Sequence, residues 1–292
     1  MSAAVDRAGA VVARTPGYAS AAAAVRRDQR FGGGLLAGAL AFRLFGALLP
    51  LALLVAVLLG YAETVDRAGV ADAGEAVGIR ESVLQSVAES SKLSAGTRWT
   101  VTAFAVIALV WAAMTAARAV RAAHSLAWEG RVVRRGRSLQ AGLVLIAGAA
   151  GFAVIWALVG WTRARWPLAG VIAAWAALVP FFSIWLGLAI LLPHGRAPRR
   201  ALVPGAILVA VGMQLIHLGT VLFVADRVER ASDTYGSLGV AFTMLFWLYV
   251  VSRVVVGSAM LNAALWERSL RSREEALPAA PAPSATAASE LP

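Results

Sequence analysis

Two arginines lie inside apolar stretches of the sequence, where a charged side chain is costly and needs a physical explanation. Arg43 lies in the first apolar stretch and Arg253 in the last one. Each is about ten residues, or roughly 13 to 15 Å along a helix, from the nearer polar boundary. A guanidinium group presents a planar fork of N–H donors that fits a phosphate or a carboxylate. These two residues are therefore the first candidates for ligand binding.

The apolar stretches contain no acidic residue to pair with either arginine. Water, backbone carbonyls or an anionic ligand would then have to offset the two charges. Tyr249 and Gly257 lie four residues either side of Arg253 and so share its helix face. One hypothesis is that Arg43, Arg253 and Tyr249 line a cytoplasm-open cavity that binds an anionic headgroup. The alternative is that each arginine bonds to carbonyls at a kink and to local water.

Other polar residues in the apolar stretches suggest weaker hypotheses. Gln214 and His217 share a helix face and would serve either as a proton relay or ligand contact, or as a hydrogen bond between helices. Asn262 favours helix packing, with a place in a polar pathway as the alternative. Ser183 and His217 would make an intramembrane hydrolase only if they come within hydrogen-bond reach. No Gly-x-Ser-x-Gly, His-Glu-x-x-His or phosphate-loop motif is present, so we expect no enzymatic activity, cofactor or metal site.

The composition is that of an integral membrane protein. Of 292 residues, 60% are hydrophobic and only 15% are charged, which argues against a water-soluble domain. The net charge of +11 would suit nucleic acid, but most arginines flank apolar blocks, where positive charge sets membrane orientation. We therefore expect membrane lipids, anionic ones among them, as partners, and no nucleic acid. The absence of cysteine excludes disulfides and thiolate metal sites.

The elements that must position these residues are predicted to be membrane-spanning helices, giving an all-α fold. A span needs about 20 apolar residues, and six stretches qualify, at about 34–60, 98–117, 139–161, 168–192, 202–225 and 237–265. Pro50 and Pro180 predict bends in the first and fourth spans. Residues 1–32 form a basic N-terminal segment, in which Tyr18 to Arg30 is either a surface helix or a frayed tail. Residues 62–97 form an amphipathic extracytoplasmic loop, and the tail 267–292 is predicted to be disordered after about 276.

Six spans place both termini on one side of the membrane. Of the 27 basic residues, 17 fall on the side of the termini, eight on the other side and two within spans. The positive-inside rule then puts both termini in the cytoplasm.

Several blocks of the sequence resemble the YihY/BrkB family of bacterial inner-membrane proteins, over most of residues 30 to 268. The most specific are Ala39-Leu40-Ala41-Phe42 leading to Phe45 and Pro50 in the first span, and Tyr235-Gly236-Ser237-Leu238-Gly239, Trp247-Leu248-Tyr249 and Leu261-Asn262-Ala263 in the last. The resemblance implies a six-helix bundle with cytoplasmic termini. It implies an activity only loosely: serum resistance and virulence in one branch, and handling of lipid or lipopolysaccharide precursors in another. An older ribonuclease label for the family is regarded as a misassignment.

The sequence also departs from the family pattern. Many members carry an aromatic or polar residue in place of Arg43, a serine near Ala47 and an acidic residue around Met260. The resemblance and the arginines together lead us to expect binding or translocation of an anionic lipid or cell-envelope precursor through a cavity containing Arg43 and Arg253. A non-transporting membrane scaffold is the first alternative, and the intramembrane hydrolase is the second.

Overall fold

The computed structural model describes residues 16–62, 95–130, 138–219 and 237–275. Within these ranges every regular element is helical, which confirms the predicted all-α class. The predictions for 63–94 and for the tail after 276 lie outside the described residues. The helices are α1 (Pro16–Arg30), α2 (Gly33–Ala62), α3 (Ala95–Glu129), α4 (Ser138–Arg165), α5 (Pro167–Ala176), α6 (Leu178–Leu191), a 3-10 turn (Arg199–Leu202), α7 (Val203–Gly219) and α8 (Ser237–Glu275).

Six of the described segments are long and apolar enough to cross a bilayer, as predicted. They correspond to α2, α3, α4, the α5–α6 pair, α7 with its 3-10 turn, and α8. Helices suit the hydrocarbon core because they satisfy their backbone hydrogen bonds internally. Large apolar side chains such as Phe42, Trp111, Trp175 and Phe242 are exposed on the outside of the bundle, where lipid would cover them.

Two helices extend well past the predicted spans. We expected the second span to end near 117, but α3 continues to Glu129. Residues 118–129 contain four alanines and two arginines, which are strong helix formers, so the basic residues do not end the helix. The last helix likewise continues past 265 to Glu275. These extensions provide helical surface beyond the apolar part of the bundle.

The two predicted proline bends differ in their local structure. The helix α2 runs through Pro50 without interruption. The fourth span is divided at Ala177, one turn before Pro180, into α5 and α6. Pro180 has no N–H to bond the carbonyl of Ala176, and its ring crowds that carbonyl, which explains why the helix is interrupted there.

The long helix α8 lies at the centre of the described bundle, in contact with α1, α2, α3 and α7. Small buried residues line its contacts with α2 and α3, so the helices approach closely; they are Ala37, Ala123, Ala127, Ala259 and Ala263, around Val256 and Met260. Because lipid tails are as apolar as these side chains, close packing rather than burial from water drives this association.

A buried asparagine joins α8 to the start of α7. Asn262 accepts a hydrogen bond from the Gly205 N–H at 2.6 Å, and its amide donates to the Leu202 carbonyl at 3.2 Å. A Cβ atom at Gly205 would lie 2.4 Å from the Asn262 amide nitrogen and 2.6 Å from the Ser258 carbonyl. Asn262 therefore has the contacts of a helix-packing residue, and Gly205 is required for the close approach.

We expect Gly205→Ala to destabilise the protein, because the added methyl group clashes with Asn262 and with the backbone of α8. The cost should be about 1–3 kcal/mol, as for other overpacked sites. Gly187→Ala is the matched control, since a Cβ there meets no atom within 4 Å. Thermal unfolding in detergent should show a midpoint several degrees lower for Gly205→Ala and unchanged or slightly higher for Gly187→Ala. Equal midpoints would contradict the close contact.

Candidate anion-binding site around Arg253

The acidic partner of Arg253 comes from outside the spans. Both terminal nitrogens of Arg253 donate to the Asp28 carboxylate, each at 3.0 Å. The Arg253 side chain is 35% exposed and that of Asp28 is 18% exposed, so the pair is only partly shielded from its surroundings. Our expectation that water, carbonyls or a ligand must offset this charge is thus wrong for Arg253. The expectation considered only acids within the spans, and Asp28 precedes them on α1.

The turn between α1 and α2 makes room for this ion pair. Gly32 adopts a positive φ of 64°, which favours glycine. A Cβ atom at Gly33 would lie 1.9 Å from an Asp28 carboxylate oxygen, so a side chain there would displace the carboxylate. The run of glycines that follows α1 was the sequence signal for this close approach, although it does not identify Arg253 as the partner.

Tyr249 lies beside this pair, one helical turn before Arg253 on α8. Its hydroxyl oxygen is near the start of α2, where a Cβ atom at Gly34 would come within 3.8 Å of it. The Tyr249 ring packs partly buried against the cluster formed by α2, α3 and α8. Asp28, Tyr249 and Arg253 thus form one polar group where the α1–α2 turn meets α8.

Arg43 bonds to a different element. Its Nη1 donates to the backbone carbonyl of Thr115 on α3 at 2.6 Å, and the Arg43 side chain is exposed. This contact is the carbonyl arrangement that we considered as the alternative to a ligand. Arg43 therefore contacts α3, whereas Arg253 contacts α1.

The remaining candidate residues are dispersed. The His217 ring stacks on Trp156, with ring centroids 4.8 Å apart. The Ser183 hydroxyl donates to the Val179 carbonyl of its own helix at 2.9 Å. Ser183 and His217 both lie in the described part of the chain, and no hydrogen bond joins them. Gln214 is partly buried on α7. The structure therefore does not assemble the Ser183–His217 dyad.

One buried histidine was missed because we predicted α3 to end too early. His124 is 2% exposed, and its Nδ1 lies 3.0 Å from the Val120 carbonyl, so Nδ1 carries the proton and donates. Its ring centroid is 6.3 Å from that of Trp185. In the described part of the chain, no group of three or more possible metal-ligating side chains comes together.

Comparison with known proteins identifies a family but no individual relative. The sequence profile of the family "Virulence factor BrkB" matches residues 24–283. The match covers the second half of α1 and every described span, and it confirms the resemblance inferred from the sequence blocks. No significant match was found among curated proteins or among solved structures.

The ion pair leads us to expect that Asp28 and Arg253 are strongly coupled in their contributions to the free energy of unfolding. We expect Asp28→Asn and Arg253→Gln each to destabilise the protein by about 1–2 kcal/mol, because each leaves the other charge unpaired in a partly desolvated position. The double variant should lose less than the sum of the two single losses. Equilibrium unfolding of all four proteins in detergent measures this coupling. Arg199→Gln removes an exposed guanidinium far from this pair in the sequence and is the control, with an expected loss below about 0.5 kcal/mol. Additive losses from the two substitutions would refute the coupling.

Proposed function

Since the chain belongs to the virulence factor BrkB family and has six membrane-spanning helices, we propose that it binds and translocates an anionic amphiphile, either a lipid or a cell-envelope precursor. In this proposal the protein lies in the bacterial inner membrane, with both termini in the cytoplasm. It acts by binding and moving its ligand, not by catalysing a reaction.

One observation supports this proposal most directly: the counter-charge of Arg253 is a carboxylate from a helix that is not a span. The two parallel N–H···O bonds to Asp28 are the geometry in which a guanidinium also binds a phosphate or a ligand carboxylate. An anionic headgroup would therefore compete with Asp28 for the same fork. When the headgroup replaces Asp28, Arg253 has an anionic partner both before and after the exchange. Its charge is therefore never left unpaired in the membrane.

Tyr249 and Arg43 have supporting roles in the proposal. In the proposal, the Tyr249 hydroxyl donates a hydrogen bond to a headgroup held at Arg253. Arg43 uses one N–H for the Thr115 carbonyl and is exposed. The surface beside it is open, since a Cβ atom at Gly46 would meet nothing within 4 Å. A lipid headgroup would reach the other donors of Arg43 from the bilayer side.

A non-transporting scaffold is the second candidate. It is favoured by the fact that Arg43 and Arg253 both have protein partners, so that neither requires a ligand for its charge. The two candidates differ in what removal of Asp28 should do. If Asp28 only stabilises the fold, its loss cannot increase the binding of an anionic lipid.

Native mass spectrometry of the purified protein with its co-purified lipids tests the exchange. We expect Asp28→Asn to retain more anionic lipid than the parent, because it removes the competing carboxylate. Arg43→Ala/Arg253→Ala should lose that lipid class, because it removes the guanidinium groups. An increase in one variant and a loss in the other would identify Arg253 as the headgroup site and justify flipping assays with the retained lipid.

The control is Arg199→Ala/Arg200→Ala, which removes two exposed arginines outside this site. It should retain the same lipid as the parent. Equal retention by the parent, Asp28→Asn and the double variant would overturn the proposal and leave the scaffold as the better explanation.

A further inference from the structure

A second basic region lies on α1, on the side of the chain termini. A pocket of about 740 Å³ opens between α1, the end of α3 and the end of α8. Neither Arg43 nor Arg253 lines it, and Asp28 does not line it either. The charged lining residues are five arginines and two glutamates, namely Arg26, Arg27, Arg30, Arg268, Arg271, Glu129 and Glu267. The lining thus carries three more positive than negative charges.

Two of the five arginines have structural roles. Arg27 forms an ion pair with Glu267, and its Nε donates to the Ala127 carbonyl near the end of α3 at 2.8 Å. Arg271 also bonds to Glu267, at 2.9 Å. A single carboxylate therefore connects two arginines and holds α1 against α8. Because Glu267 is shared, these arginines retain part of their positive charge toward the pocket.

The other arginines keep donors available for a ligand. Arg26 and Arg30 are exposed, lie one turn apart on α1, and have no acidic partner among the described residues. Arg268 uses Nη1 for a hydrogen bond to the Ser20 hydroxyl at 3.0 Å. Arg26 and Arg30 thus present unpaired guanidinium groups to the same pocket.

Aromatic residues close one side of the pocket. The guanidinium carbons of Arg27 and Arg30 each lie 5.5 Å from the centroid of the Phe31 ring, within the range of a cation–π contact. Trp128 also lines the pocket, so aromatic rings and arginines border the same space.

We infer that this pocket is an anion site for a phosphate group, separate from the headgroup site proposed at Arg253. Phosphate has acceptor oxygens for several guanidinium groups at once, and the planar fork of donors on each guanidinium fits it. The two glutamates in the lining repel an anion, but the five arginines leave an excess of three positive charges. This excess favours a ligand with more than one negative charge. The phosphate belongs either to a lipid headgroup or to a soluble phosphate ester.

The positive-inside rule alone does not account for this arrangement. That rule concerns the number of basic residues near the spans and not their grouping. Arg199 and Arg200 satisfy it equally well, yet they lie in the 3-10 turn before α7, are exposed, and do not line the pocket. These two residues therefore give a matched control with the same change of charge on a helical segment outside the pocket.

Isothermal titration calorimetry of the full-length protein in an uncharged detergent tests the site. The probes are inorganic phosphate, glycerol 3-phosphate and dioctanoyl phosphatidic acid. We expect at least one probe to bind the parent, with an affinity that falls as salt rises. Arg26→Gln/Arg30→Gln should weaken that binding by about tenfold or more, since each charge-assisted hydrogen bond contributes substantially. Arg199→Gln/Arg200→Gln should change the affinity by less than about twofold.

The probes also distinguish the sources of the phosphate. Binding of glycerol 3-phosphate and inorganic phosphate identifies a soluble ester site, whereas binding of phosphatidic acid alone identifies a lipid headgroup site. The inference is overturned if no probe binds the parent, or if both arginine pairs weaken binding equally. Because Arg253 is intact in all these variants, a selective loss of binding in Arg26→Gln/Arg30→Gln cannot come from the headgroup site proposed at Arg253, which native mass spectrometry tests separately.

Discussion

A guanidinium group inside a membrane domain has to be balanced, because the hydrocarbon core provides neither counter-ions nor hydrogen bonds. In this protein a carboxylate from α1 balances Arg253 of α8. The pair requires α1 to lie along α8, the Gly32 turn to reverse the chain, and Gly33 to leave space for the carboxylate. The arrangement of the N-terminal helix thus follows from the position of one charge in the last span.

The rest of the bundle is held by close packing around α8. Buried alanines on α2, α3 and α8 line the contacts between these helices. Asn262 adds a directional contact by bonding both a donor and an acceptor at the start of α7. Such hydrogen bonds stabilise helix packing in lipid, because a polar group left without a partner there has no water to bond to. Small residues and one buried amide therefore fix helix positions that apolar side chains alone would leave less defined.

The helix α1 connects the two basic regions of the molecule. Its residues Asp28 and Arg27 are neighbours, yet Asp28 pairs with Arg253 and Arg27 pairs with Glu267, farther along α8. The same helix also provides Arg26 and Arg30 to the pocket. A shift of α1 along α8 would change the counter-charge at Arg253 and the shape of the pocket together. This geometry links the two regions without requiring any contact between their ligands.

The sequence alone determined the six spans, the all-α class and the family, because hydropathy, helix length and sequence blocks are properties of neighbouring residues. It also identified Arg253 and Tyr249 as neighbours, since residues four apart share a helix face. The end of α3 was misjudged, because arginines that mark a membrane boundary are also good helix formers.

Only the tertiary structure decided which groups meet. Asp28 and Arg253 are 225 residues apart, and Arg27 and Glu267 are 240 apart. No local pattern encodes these pairs, because they depend on how α1 packs against α8. The same holds for the pocket, because in the sequence its arginines cannot be distinguished from arginines that only set membrane orientation. Their grouping around Phe31 and Trp128 arises only when the ends of three helices come together.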